Sequence, residues 1–150
     1  MRNIVSDKRI KQGRAVAIIS CPEEIPCNPC ETICPFQAIT VGTPITNLPV
    51  FHQERCTGCG KCITVCPGLA ISVLNYNYSS TEAALTVPYE LLPRPAAGDK
   101  ITAVDAAGRP VAAGKIVRVS GPEKNNGTAL VTFSFARKYY RTVRFFRKKQ

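Results

Sequence analysis

Eight cysteines crowd into residues 21–66 of a 150-residue chain, and the remainder of the sequence has none. Six of them belong to an internal repeat with an offset of 32 residues. "CNPCETICPFQAIT" begins at Cys27 and "CGKCITVCPGLAIS" at Cys59, so Cys27, Cys30, Cys34, Pro35, Ala38 and Ile39 match Cys59, Cys62, Cys66, Pro67, Ala70 and Ile71. Whatever these thiols hold dictates what the chain can fold around. A disulfide framework would staple a small secreted fold along its whole length. Thiols confined to one stretch point to metal instead.

The stretch "CTGCGKCITVCP", Cys56–Pro67, has the Cys-x2-Cys-x2-Cys-x3-Cys-Pro spacing of an iron–sulfur motif. Two-residue gaps let one tight loop wrap three thiolates around one cluster, and the fourth cysteine starts a turn that points away. Gly58 and Gly60 give the loop backbone conformations closed to other residues. Zinc sites of four cysteines usually present two separated Cys-x2-Cys knuckles, a different arrangement. The first copy departs in one place. Five residues separate Cys21 from Cys27, where two separate Cys56 from Cys59, and Glu24 stands where the first ligand would fall. "PEEIP" fills the gap and implies a wider loop. Cys21 directly follows the strand-like "AVAIIS", and its inclusion makes eight thiols two sets of four. The alternative is a three-iron cluster, or a site with Glu23, Glu24 or solvent at one iron. Pro29 removes a backbone donor that the second loop keeps, so two clusters need not be equal. The lone His52 reads as a surface or packing residue.

The rest of the chain divides by texture. Residues 1–14 form a polar arm, and short apolar runs ("AVAII", "PVF", "ISVL") frame the cysteine loops as strands between residues 15 and 75. Residues 76–98 read as a connector with a short helix around "STEAAL", ended by Pro88. From residue 99, "KITAV", "VAAGKIVRVS" and "TALVTFSFA" alternate with the turn signals "AAGRP" and "NNG", which suggests a small β-rich barrel or meander over residues 99–150. Val131, Phe133 and Phe135 predict one buried face. The tail 137–149 reads as a helix with Tyr139, Val143 and Phe146 on one side, although its aromatic and β-branched content also permits a strand.

The net charge of +10 sits in one half. Residues 1–93 hold seven basic and seven acidic side chains, and residues 94–150 hold thirteen basic against three acidic. No apolar run approaches the ~20 residues of a membrane span, and no secretory leader is visible. Free thiolate ligands and a reducing compartment then imply a cytoplasmic protein. The basic, aromatic tail is compatible with nucleic acid, but such termini more often face solvent or protein.

Over residues 15–75 the sequence resembles the two-cluster bacterial ferredoxins. That resemblance implies an α+β, pseudo-twofold two-cluster domain with two 4Fe-4S clusters. It also implies crossed ligation: Cys34, Cys56, Cys59 and Cys62 on one cluster, and Cys27, Cys30, Cys66 and a first ligand from the opening stretch on the other, a place that Cys21 fills in the reading of the residues above. "EEIPCNPCETICP" and "CTGCGKCITVCPGLAI" with a trailing β-domain also resemble small ferredoxin-like subunits of flavin-dependent proline or hydroxyproline dehydrogenase complexes. This implies a FAD-containing partner subunit, because the chain has no Gly-x-Gly-x-x-Gly fingerprint of its own. The expected role is single-electron relay within an oxidoreductase, with no catalytic residue here. A diffusible ferredoxin is the alternative, and a nucleic-acid-binding protein with structural clusters is a more distant one.

Overall fold

A computed structural model describes residues 4–149. Among these residues nine strands carry the architecture: β1 Val16–Ile19, β2 Ile39–Thr40, β3 Val50–Phe51, β4 Ile71–Asn75, β5 Glu82–Tyr89, β6 Lys100–Val104, β7 Pro110–Ser120, β8 Ala129–Ala136 and β9 Phe145–Lys148. Two short helices, α1 (Asp7–Ile10) and α2 (Pro29–Ile33), and several 3-10 turns complete it.

The 32-residue repeat has a physical form. β1 pairs antiparallel with β4, bringing Ile19 opposite Ile71. β2 pairs antiparallel with β3, bringing Ile39 opposite Phe51. Shifting either pairing by the repeat offset gives the other. The strand that opens each repeat therefore pairs with the strand that closes the other repeat, and the two halves interlock. The correspondence reaches unusual backbone. Gln37 and Leu69, equivalent residues after each Cys-Pro, have φ of 52° and 54° in the left-handed region. Each donates its N–H to the carbonyl of its own cysteine, Cys34 or Cys66, at 3.3 Å.

The two textures of the sequence do not separate into two sheets. One seven-stranded sheet runs β1-β4-β5-β8-β7-β6-β9. β5 joins them, pairing with β4 on one side and β8 on the other. This corrects the expected connector and the helix around "STEAAL": residues 82–89 are a strand, with Ala83, Leu85 and Val87 buried on one face. Pro88 is tolerated because the ladder with β4 stops at Thr86, leaving β8 as the neighbour at that level. The tail also differs from the expected helix. Arg137–Tyr139 is a 3-10 turn, and residues 145–148 form β9 against β6. Tyr139, Val143 and Phe146 do turn inward, but through a turn followed by a strand.

The sheet curls on itself. Tyr89 on β5 stacks on Phe146 of β9 at 5.4 Å between ring centroids, although three strands separate them in sheet order. Phe133, Phe135, Ile101 and Ile116 fill the interior, so the β-rich half is a partly closed barrel. The expected buried face of β8 is present. Its opposite face is also covered at Ser134, which is fully buried. One apolar core runs from Ile39, Cys62 and Ile63 beneath the cysteine loops to Phe133 and Phe146 in the barrel.

Candidate iron–sulfur centres

The strand ends set the cysteines. β1 leaves the sheet at Ser20, whose N–H donates to the carbonyl of Ala70 at 2.9 Å. Cys21 thus emerges beside the turn that follows Cys66. In the other half His52 donates its N–H to the carbonyl of Ala38 at 2.7 Å, and a 3-10 turn, Gln53–Arg55, then carries the chain to Cys56. Crossed strand pairing therefore places the fourth cysteine of each repeat beside the opening of the other.

Two cavities result. Cys34, Cys56, Cys59 and Cys62 line one, of about 20 Å³. Cys21, Cys27, Cys30 and Cys66 line the other, of about 220 Å³. Cys21 thus shares a cavity with three cysteines of the repeats, Cys27, Cys30 and Cys66. Every cysteine is a free thiol. A single zinc with bonds of ~2.3 Å would draw its sulfurs to within about 4 Å of one another. Among the described residues no three His, Cys, Asp or Glu side chains are gathered closely enough for one ion. Thiols spread around a cavity wall suit a ligand that brings its own inorganic core; the cavity of Cys21 has room for one, and that of Cys34 would have to widen around it.

The environment suits sulfur ligands. Ala38 and Ala70 occupy equivalent positions, and each donates its N–H to the Sγ of the cysteine four residues earlier, Cys34 or Cys66, at 3.4 Å. Cys56 Sγ accepts from Ala17 and Gly58, both at 3.4 Å. Such donors stabilise negative charge on a cluster. Burial pushes the Cys62 thiol up to about 12 and the Cys30 thiol to about 11, and it also raises Cys27. A bare thiolate at these positions is disfavoured, so a bound metal centre would have to supply the compensating charge and displace the proton.

The loop between Cys21 and Cys27 keeps the wider ligand spacing expected of it, but arises without an insertion. Ser20 and His52 make equivalent bonds and are themselves one repeat apart, so the two halves have equal length here. In the second half the three residues after the bond form a 3-10 turn before the ligand. In the first half the ligand comes at the start of that interval, and residues 22–24 follow it without regular structure. The ligand has moved along the chain and nothing has been inserted. Glu23 lines the same cavity as Cys21. His52 is a packing residue, its Nε2 sharing a 3.1 Å hydrogen bond with the Thr40 hydroxyl.

Two residues of this region carry no motif. Glu31 caps the backbone N–H groups of Val41 and Gly42, tying α2 to the loop after β2. Arg9, in the expected polar arm, is only 3% exposed and reaches under the Cys56 loop. The sequence signal for its helix was the Ser6 N-cap, whose hydroxyl accepts from the Arg9 N–H at 3.2 Å. Its burial had no local signal.

Residues 21–77 match the family described as the LdpA Fe-S cluster-binding domain. A segment of 38 residues is 47% identical to a subunit of the Na(+)-translocating ferredoxin:NAD(+) oxidoreductase complex of Acetobacterium woodii, covering 25% of this chain and 11% of that protein. A segment of 63 residues is 38% identical to a subunit of an ion-translocating oxidoreductase complex of Methanosarcina acetivorans, covering 42% and 22%. An uncharacterized ferredoxin of Methanocaldococcus jannaschii is 43% identical over 47 residues, covering 31% and 29%. The chain thus spans less than a third of the length of each of these relatives. No solved structure matches it. The chain is an iron–sulfur protein of ferredoxin type. None of its described helices is long and apolar enough to cross a membrane.

Proposed function

We propose that this protein is the electron-transfer subunit of a multi-subunit oxidoreductase and relays single electrons through two 4Fe-4S clusters. One cluster is held by Cys34, Cys56, Cys59 and Cys62, the other by Cys21, Cys27, Cys30 and Cys66. The observation that carries this reading is the division of eight thiols between two cavities, four to each. Iron–sulfur clusters supply one-electron redox chemistry. Cysteine at every iron leaves no open position for an organic substrate. The chain itself holds the clusters, excludes water from Cys56 and Cys62, and donates hydrogen bonds to sulfur.

A partner must then oxidise the substrate. The resemblance to the small subunits of proline-type dehydrogenase complexes favours a FAD-containing dehydrogenase as that partner, in the cytoplasm. The names of two relatives, both subunits of oxidoreductase complexes, support life inside an assembly. The barrel half, with its excess of basic charge, provides surface that a minimal carrier would not need.

Anaerobic purification from the native host tests this. The expected result is about eight irons per chain, four per cluster, with two reducible paramagnetic centres and a copurifying flavoprotein. About four irons, or zinc, would refute the two-cluster reading. A chain that purifies alone with both clusters would instead be a diffusible ferredoxin. Cys21→Ser should convert or remove one cluster and leave the other intact. Two unchanged clusters in that variant would exclude Cys21 as a ligand.

A further inference from the structure

Arg9 is the one charged side chain buried among the described residues. Its Nε donates to the Gln53 carbonyl at 2.9 Å and Nη1 to the Arg14 carbonyl at 3.0 Å. Nη2 bridges two more carbonyls, Ala15 at 2.9 Å and Cys56 at 2.7 Å. The acceptors come from two segments that meet beside the cavity of Cys34, Cys56, Cys59 and Cys62: the chain entering β1, and the turn that leads into Cys56. Where these two segments touch, a Cβ on Gly58 would stand 2.6 Å from Ala15, so the approach is as close as backbone allows. The same approach directs the Ala17 and Gly58 N–H groups at Cys56 Sγ. A buried guanidinium with every bond spent on carbonyls keeps its full charge in a region of weak screening. Burial lowers its pKa, and the neighbouring Cys56 acts against that effect.

We propose that Arg9 is a positioning residue for the cluster of Cys34, Cys56, Cys59 and Cys62, and that it raises that cluster's reduction potential above the value the cysteine loop alone would give. This rests on the two-cluster reading. Reduction adds one electron, supplied by an electrode in the test, and neither forms nor breaks a bond. The added negative charge is stabilised by the fixed cation and by the two N–H donors it holds in place. Among the described residues the other cavity has no buried charged side chain near it. Its ligands are more evenly exposed, and solvent there also favours the reduced state. The test is therefore the displacement caused by changing Arg9, and the absolute order of the two potentials is not used.

Arg9→Gln and Arg9→Lys are compared with the wild type, each fully loaded with iron. Midpoints are read by redox titration with electron paramagnetic resonance, and Cys21→Ser marks which signal belongs to the site of Cys21, Cys27, Cys30 and Cys66. Arg9→Gln should shift the cluster of Cys34, Cys56, Cys59 and Cys62 alone to more negative potential by at least tenfold in its reduction equilibrium, about 59 mV for one electron. Arg9→Lys keeps the charge but loses the fork geometry, and should shift the same cluster in the same direction by less. If Arg9→Gln does not load, Arg9→Lys decides by the same criterion. In either variant, midpoints that stay unchanged, or that both move equally, overturn the proposal. A wild type lacking two reducible clusters would instead defeat the functional reading itself, and the iron count detects that before any variant is made.

Discussion

Two glycines of one loop look interchangeable in sequence and are not. Gly58 and Gly60 have φ of +74° and +81°. A Cβ at Gly58 would press on Ala15 at 2.6 Å, whereas one at Gly60 would meet only Ile63 Cδ1 at 4.0 Å. Gly60→Ala should therefore cost about 1–2 kcal/mol of backbone strain. Gly58→Ala should cost about 1–3 kcal/mol more through overpacking. Anaerobic guanidinium titration, followed by cluster absorbance, separates the two; equal midpoints would contradict the close approach. At this scale the sequence was most informative about cysteine. Thiol spacing is a local property of the chain, so all eight candidate ligands could be named from it. Arg9 is the opposite case. Its partners Gln53 and Cys56 lie far along the chain, and a basic residue in a polar arm resembles any solvated cation until that contact exists.

Strands followed the same division. Where alternation was strict, as in Val131, Phe133 and Phe135, the element and its buried face were legible. Phe133→Ala should cost about 3–5 kcal/mol, because it empties the place where β8 and β9 meet the barrel interior. Chemical denaturation monitored by far-ultraviolet circular dichroism measures it. β5 was illegible because "STEAALTVP" combines a helix-cap signal with alanines and a proline. Its state is decided by β4 and β8, which it bridges. The tail misled for a related reason. Three inward residues at helical spacing, Tyr139, Val143 and Phe146, fit a turn plus a strand equally well once β6 offers an edge. The moved ligand, Cys21, was visible as a spacing anomaly. That no residues had been inserted became clear only from the matching bonds of Ser20 and His52.

At the scale of the whole molecule, the basic half is built onto the cysteine half. Besides the shared sheet, α1 is fastened to the far end of the chain: Asp7 Oδ1 accepts from the Tyr140 hydroxyl and from Arg141, both at 2.6 Å. The Tyr140 hydrogen bond, then that of Arg141, holds the Asp7 carboxyl below its ordinary value. A lowered carboxylate pKa contributes stability above the ordinary carboxylate range and loses it as pH falls through the lowered value. Acidification, or Asp7→Asn at neutral pH, should thus lower the protection of α1 amides relative to their intrinsic exchange rate at that pH, while β8 stays protected. Unchanged protection in α1 would contradict the tie. Deleting residues 99–150 strips β8 from β5, and should shorten the lifetime of both clusters under anaerobic conditions. A truncated chain that keeps both clusters as long as the full chain would contradict the continuity of the core. Composition had revealed that the halves differ in charge, but charge asymmetry is silent about whether two halves share a sheet.

The interlocked repeats also fix a timetable for making the protein. With the thiols divided as proposed, the set containing Cys34 is complete once Cys62 has been synthesised, and the set containing Cys21 only once Cys66 has. Neither repeat can be furnished with iron while the other is still unmade, however early its own cysteines leave the ribosome. β4, which brings the Cys66 turn beside Cys21, comes later still and needs β5 and then β8 to hold it. Iron delivered during translation would meet an incomplete set of thiols until Cys62 at the earliest, and an unsupported β4 until β8 has been made. Maturation is thereby deferred until β8 has been made, and the centre whose first ligand is made earliest is the last to be closed.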